Sequence, residues 1–477
     1  MTATATTDLV THYINGTWTT DWAGLTNELR NPATGQVTGR VALAGLDEVD
    51  RAVAAARAAF ETYSHTTIAD RVAMFSRIAA EFTRRAEDMA IAVTTDMGIP
   101  IAGSRIAVGA AILQFTSMID TLPGYPFHDV AGDHIIDKDP VGVAALIPPW
   151  NYPSLQMAEK VAPALAAGCT VILKPAEIVS HAGEVFAQIM DAAGVPAGVF
   201  NLLVGKGSTV GTALSKHPGV DMVAFTGSTD VGIQVQKDAA DTVKRVSQEL
   251  GGKSAHIVLP DADLDLAVTT AVNGVMSNSG QTCAAPTRTL VPAPLLDDFL
   301  RRVKSAVDGL TVGDPMKEVD LGPVANQTQW HTVQDYIQIG LDEGATLITG
   351  GPGKPDPTAS GWYVRPTVFA DVTNNMRIAR EEIFGPVMSV ITYTGIDDAI
   401  RIANDSEYGL AGYVTGEDTD QAKRVAARIR AGQVVVNAVT PNLFAPFGGY
   451  KHSGNGRIWG TAGLEEYLET KAIVGQI

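Results

Sequence analysis

Two side chains in this sequence have the types and setting for covalent chemistry. Cys283 closes the run Asn278-Ser279-Gly280-Gln281-Thr282-Cys283, and Glu249 opens Glu249-Leu250-Gly251-Gly252-Lys253-Ser254, 34 residues (283 − 249) earlier. A thiolate is a strong nucleophile, and a carboxylate beside it can act as a base. The polar, glycine-containing loop before Cys283 predicts backbone N–H groups that lower the thiol pKa and stabilise a negative oxygen after attack. Glu249 follows an apolar strand and precedes two glycines, which puts it at a strand end. Partial burial there raises a carboxyl pKa and suits it to general-base work near neutrality. The plainer alternatives are a small buried thiol and a solvated glutamate. Cys169, in Ala166-Ala167-Gly168-Cys169-Thr170 at the mouth of a buried strand, fits the first of these.

Three further stretches end apolar runs. In Pro148-Pro149-Trp150-Asn151-Tyr152-Pro153 the prolines make a rigid turn, and the Asn151 amide is placed to donate to a developing oxyanion. Lys174-Pro175-Ala176-Glu177 is either a surface ion pair or a ribose clamp, with lysine donating to the hydroxyls and glutamate accepting. Phe225-Thr226-Gly227-Ser228-Thr229-Asp230-Val231-Gly232 runs from a strand through glycine and serine into a helix start, which suits a diphosphate on helix N-terminal amides. It is not the Gly-x-Gly-x-x-Gly fingerprint and is weak alone.

The elements that must position these groups alternate. Strand-like runs at Val143–Ile147, Thr170–Leu173, Phe200–Val204, Met222–Phe225 and Arg245–Gln248 are separated by helical stretches, the pattern of a mostly parallel, doubly wound sheet. The alternation restarts at Ile257–Leu259, Thr289–Val291, Val387–Tyr393, Ala411–Val414 and Val434–Asn437. This predicts a second α/β unit with the site in the cleft between the two. A strand from Ala255 and a helix opened by Asp261 or Asp263 bring the far ends of the Glu249–Cys283 segment together. Before them come short strands over 8–45, a helix from Asp47 and one long amphipathic run over about Ile68–Asp96. Gly350–Gly361 reads as a surface loop.

Bulk properties narrow the function. The 477 residues imply more than one domain, and 45% hydrophobic with 18% charged residues excludes disorder. A net charge of −17 repels nucleic acid and anionic membranes. Two cysteines exclude a disulfide framework and favour a reducing compartment. The start, Met1–Thr7, has neither a basic nor an apolar region, so no secretory signal is visible. The most apolar run, Val141–Trp150, is too short to span a bilayer. The expectation is a soluble cytoplasmic protein with no metal, nucleic-acid or membrane partner.

Taken together, the motifs resemble the aldehyde dehydrogenase superfamily in order and spacing along nearly the whole chain. Glu381-Glu382-Ile383-Phe384-Gly385-Pro386-Val387, Pro446-Phe447-Gly448-Gly449-Tyr450-Lys451, Ser453-Gly454 and Glu465–Lys471 add to the match. The resemblance implies an α/β fold of two doubly wound domains plus a small β oligomerisation element. It places a dinucleotide-binding domain at 1–123 and 141–250, a catalytic domain at 251–450, and the oligomerisation element at 124–140 and 463–477. It implies oxidation of an aldehyde to a carboxylic acid by the hydrolytic, non-acylating route, with NAD as the acceptor. Cys283 would be the nucleophile, Glu249 the base that activates water, and Asn151 the oxyanion donor.

For the cofactor, the resemblance assigns Lys174 and Glu177 to the adenosine ribose, Gly227 and Ser228 to the diphosphate, and Glu382 to the nicotinamide ribose beside Phe384. Ile147, Pro149, Trp150, Gly207, Phe225, Val231 and Leu250 would shape the groove. Glu177 would repel a 2′-phosphate and so favours NAD, while Lys174 leaves NADP open. Tyr152, Gln156, Glu159, Thr282 and Phe447 match the aldehyde channel. Glu159 departs from the aromatic residue many relatives carry: either the helix turns it to solvent, or the channel is polar enough for hydroxylated or cationic aldehydes. The apolar tail Lys471–Ile477 would be an exposed edge unless a partner subunit covers it, which implies a homodimer or homotetramer. The rival readings are a CoA-acylating enzyme, which typically lacks a base at Glu249, and a non-catalytic dinucleotide-binding descendant, which would have no need of Cys283, Glu249 and Asn151 together.

Overall fold

The computed structural model describes residues 9–22, 24–438 and 442–475. The expectations at Met1–Thr7, and for Gln476 and Ile477 at the end of the tail, lie outside these. The first large sheet follows from the apolar runs: Arg245–Glu249, Met222–Thr226, Val143–Ile147, Thr170–Leu173 and Phe200–Leu202 pair in that order, all parallel. A hairpin of Tyr13–Ile14 and Thr17–Trp18 extends it antiparallel. Strands buried on both faces read as continuous hydrophobic runs, and all five residues of Val143–Ile147 are buried.

The second sheet runs Thr346–Thr349, Thr367–Ala370, Val387–Tyr393, Arg288–Pro292, Ala255–Val258, Ala411–Thr415 and Gln433–Val436. It is parallel apart from its first, antiparallel strand. All ten expected strands are present, with ends differing by one or two residues. Thr346–Thr349 and Thr367–Ala370 were not expected. The first is short and largely exposed, so it lacks the apolar signature that marks its neighbours.

One helical expectation changes. The run over Ile68–Asp96 is two helices, Ile68–Arg84 and Ala86–Met97, broken at Arg85. The apolar stripe crosses the break because both pieces bury residues in one core, among them Phe75, Phe82 and Met89. A helix the sequence reading did not single out, Ile101–Gly124, has the length and hydropathy to cross a membrane. In the fold Val108, Ala111, Phe115 and Met118 pack into the same core, and the Phe115 ring lies 5.8 Å from Phe75 and 5.9 Å from Phe82.

A third sheet joins Leu468–Val474 antiparallel to His134–Pro140, which pairs in turn with His128–Ala131. Leu468–Val474 is its outer strand, with only Leu468 buried. Its free edge is the one the sequence marks as needing cover.

Candidate active site

Glu249 is the last residue of its strand and is buried. The chain then turns through Gly251 and Gly252, runs out along Ala255–Val258, and returns in the helix Leu264–Met276. Of the two candidate caps it is Asp263 that closes the helix, its side chain accepting from the N–H groups of Asp265 (2.8 Å) and Leu266 (3.4 Å). The helix delivers a strained loop, with Asn278 and Ser279 both left-handed at φ +53°. Non-glycine residues hold that conformation only where their surroundings impose it. Here Asn278 Nδ2 donates to Asn151 O (2.8 Å) and Gln281 O (3.2 Å), Ser279 Oγ donates to Gly322 O (2.8 Å), and Gln281 Oε1 accepts from Ala325 N (2.9 Å). The two ends of the segment meet: a Cβ on Gly252 would lie 2.4 Å from the Cys283 carbonyl oxygen.

Asn151 is buried, and one N–H of its amide donates to Gln281 O at 3.1 Å. Cys283 is half-buried and borders a cavity of 260 Å³ together with Pro149, Trp150, Asn151, Gly227, Ser228, Leu250, Glu382 and Phe384, nine of the expected residues in one cleft. Trp150 and Phe384 meet edge to face at 5.3 Å. A second cavity of 420 Å³ brings together Ile147, Gly207, Phe225 and Val231. Between the two begins the helix Thr229–Ala239, whose N-cap Ser228 makes no side-chain capping bond. Lys174 is buried, with its Nζ 3.9 Å from Glu177 Oε2.

The electrostatics differ from expectation at the thiol. Burial pushes Cys283 up, the charges of Glu382, Glu159 and Glu249 push it further, and the single opposing hydrogen bond to the Ala284 backbone is outweighed. The expected lowering by loop N–H groups is therefore outweighed, and the thiol is raised. Glu249 is raised as expected. Burial comes first, Glu159 and Glu466 add to it, and Lys160 and Arg457 oppose it. Both of its oxygens lack a hydrogen-bond partner among the described residues. Burial likewise raises Glu382 to about 7, although Gly252 N donates to its Oε1 at 3.0 Å.

On the aldehyde side, Tyr152 and Thr282 share a 2.9 Å hydroxyl hydrogen bond, and Gln156 and Phe447 are buried. Glu159 does not turn to solvent: it is 1% exposed, and its Oε2 accepts from Trp459 Nε1 at 3.0 Å. Sequence reasoning missed Trp459, and also Gln329, whose Nε2 donates to Ile383 O (3.1 Å) and Phe384 O (2.8 Å) from the cavity wall. It missed Lys160 too, a buried cation adjoining Glu159. A lysine inside a helix carries no visible mark of burial in the sequence; the structure places it in the wholly buried stretch 156–167.

Two mostly parallel sheets, with a thiol and a carboxyl bordering one cleft, define an α/β architecture with a candidate active site. The family model described as the aldehyde dehydrogenase family matches residues 18–473. The chain belongs to the aldehyde dehydrogenase family. It is similar to aldehyde dehydrogenase C of Pseudomonas syringae, solved as a cysteine-to-alanine mutant with NAD+ and octanal: 48% identical, TM-score 0.97, covering 98% of this chain and 97% of that one. An aldehyde dehydrogenase of Bartonella henselae is 40% identical, with TM-score 0.95, 98% of this chain and 99% of that one covered. Betaine aldehyde dehydrogenase of Staphylococcus aureus, solved with NAD+, is 36% identical, with TM-score 0.94 and coverage of 98% and 95%.

Proposed function

We propose that the protein oxidises an aldehyde to its carboxylic acid with reduction of NAD, through a thioester on Cys283 that is hydrolysed by water activated by Glu249. The observation that carries this reading is the meeting of Cys283, Asn151 and the Gly251–Gly252 turn in one cleft, with the unpartnered Glu249 carboxyl on the strand leading into that turn.

The Cys283 sulfur attacks the carbonyl carbon, and the oxygen takes up negative charge as the carbon becomes tetrahedral. The second N–H of Asn151 and the backbone N–H of Cys283 meet that oxygen, the kind of stabilisation that contributes about 10²–10³ in rate per donor. Loss of hydride from the carbon then leaves a thioester. Glu249 takes a proton from water as the water attacks the thioester carbon, and the thiolate leaves with the carboxylic acid released.

The residues fit a dinucleotide. Uncapped helix amides at Ser228 and Thr229 suit a diphosphate, Lys174 and Glu177 suit the adenosine ribose, and Glu382 beside Phe384 suits the second ribose and its ring. Bound there, NAD supplies the hydride acceptor. Glu177 favours NAD over NADP by repelling a 2′-phosphate.

The division into a dinucleotide-binding unit (1–123 and 141–250), a catalytic unit (251–450) and an oligomerisation element (124–140 and 463–477) belongs to the same reading. So do assembly as a homodimer or homotetramer through the free edge of Leu468–Val474, and residence in the cytoplasm. The test is NADH formation at 340 nm over a panel of aldehydes without CoA, which Cys283→Ser abolishes. A rate that requires CoA, or that survives Cys283→Ser, would contradict it.

A further inference from the structure

One buried carboxyl, that of Glu159, is not used by the reaction above. Glu159 sits on the helix Pro153–Ala167, and its Oε2 holds the indole N–H of Trp459, 300 residues away, at 3.0 Å. Trp459 lies against Phe447, ring centroids 4.8 Å apart and 35° from parallel. Both belong to the apolar cluster on which Cys283 packs. Trp459 is also left-handed, at φ +67°, a conformation a tryptophan keeps only when its surroundings hold it there. Glu159 thus anchors one aromatic residue of the cluster against which the nucleophile packs.

Among the described residues the second oxygen of Glu159, Oε1, is buried with no partner, and one helical turn earlier Gln156 Oε1 is buried and unpartnered as well. Among the described residues no ion pair within 4.0 Å joins Glu159 to its neighbour Lys160. Buried polar atoms are nearly always paired, and an unpaired carboxyl oxygen is among the costlier exceptions. Two free acceptors on one helix face call for an occupant that brings donors. Through Trp459 the Glu159 carboxyl adjoins the apolar cluster against which the Cys283 thiol packs, which keeps it near the reacting carbon. A donor reaching it from a bound aldehyde is therefore only a few bonds from the carbonyl.

We propose that Glu159 is a specificity-determining residue: one carboxyl oxygen fixes the Trp459 indole, and the other accepts a hydrogen bond from a hydroxyl or ammonium group on a short aldehyde. This rests on Cys283 being the nucleophile. The site then selects short hydroxy- or amino-aldehydes over their apolar isosteres, because an apolar chain leaves the buried oxygen unpaired.

The experiment compares kcat/KM for butanal, 3-hydroxypropanal and 3-aminopropanal, with NAD, in the wild type, Glu159→Gln, Glu159→Leu and Trp459→Phe. The expected wild type prefers both donor-bearing aldehydes to butanal. Glu159→Leu lowers that preference about tenfold or more, the scale of a lost hydrogen bond to a charged group. Glu159→Gln keeps the preference for 3-hydroxypropanal, since an amide oxygen still accepts, and loses that for 3-aminopropanal. Trp459→Phe lowers all three rates together and leaves the ratios in place. If Glu159→Leu does not fold, the 3-aminopropanal ratio in Glu159→Gln decides, with its thermal midpoint and NAD affinity as checks on integrity. A wild-type ratio at or below one, or equal ratios in the wild type and the Glu159 variants, overturns the assignment. Turnover that survives Cys283→Ser, or no turnover of any of the three aldehydes, overturns the underlying reaction instead.

Discussion

Replacing Gly252 with alanine tests how tightly the base-bearing turn and the thiol loop are locked together. The added Cβ would lie 2.4 Å from the Cys283 carbonyl oxygen and 3.2 Å from Leu410 Cβ. Real Cβ atoms essentially never approach closer than 3.0 Å, so the backbone of the nucleophile itself must move by 0.6 Å (3.0 − 2.4) or more. Overpacking of this kind costs about 1–3 kcal/mol. Misplacing a reacting group by 1 Å costs ~10² in rate, so the expected loss in kcat is roughly ten- to a hundredfold. Steady-state NADH formation with saturating aldehyde and NAD measures it, with iodoacetamide alkylation of Cys283 and thermal unfolding run alongside. Gly109→Ala is the control: nothing lies within 4 Å of its added Cβ, and the residue sits inside a helix where alanine is preferred. A Gly252→Ala enzyme with kcat within twofold of wild type and an unshifted midpoint would refute the close approach of the two loops.

Glu249→Gln is expected to keep a first-turnover burst of NADH and to lose ~10²–10⁴ in steady-state rate, because acylation needs the thiol and hydrolysis needs the base; rapid-mixing absorbance separates the two. Both Cys283 and Glu249 have raised pKa values and both work deprotonated, so kcat/KM is expected to climb as pH rises through and above neutrality and to fall on acidification. A profile flat between pH 6 and 9, on the order of three units around the working range, would contradict that sign. Glu177→Ser removes the carboxylate beside Lys174 and is expected to raise kcat/KM for NADP relative to NAD by about tenfold, one charged contact's worth. Phe115→Ala, in the long apolar helix, is expected to cost about 3–5 kcal/mol and to lower the thermal midpoint by several degrees, since its ring is fully buried against Phe75, Phe82 and Phe186.

Most of the strand framework could be read from the sequence because a strand buried on both faces has to be apolar throughout. Val143–Ile147 and Met222–Thr226 are such strands. Thr346–Thr349 escaped because an exposed edge strand carries no such constraint. The break at Arg85 escaped because the apolar stripe continues across it, both helices facing one core. At the site, glycines and polar residues at strand ends mark the turns that bring Cys283, Asn151 and Glu249 together. The thiol's pKa could not be read in the same way, since it depends on carboxylates brought close by tertiary folding: Glu382 lies 99 residues (382 − 283) further along the chain and Glu159 lies 124 (283 − 159) before it. The Glu159–Trp459 contact is beyond local reading for the same reason. Nothing in either residue's neighbourhood names the other, and only the packing of the final segment onto the helix Pro153–Ala167 joins them.

The thioester on Cys283 can be trapped and weighed. Glu249→Gln is mixed with butanal and NAD, quenched in acid within the first turnover, digested and analysed by mass spectrometry. The expected result is one butanoyl group on the peptide containing Cys283, in amount matching the NADH burst, and none in a Glu249→Gln, Cys283→Ser double variant. NADH formed with no acyl group on Cys283, or an acyl group on Cys169 instead, would contradict it.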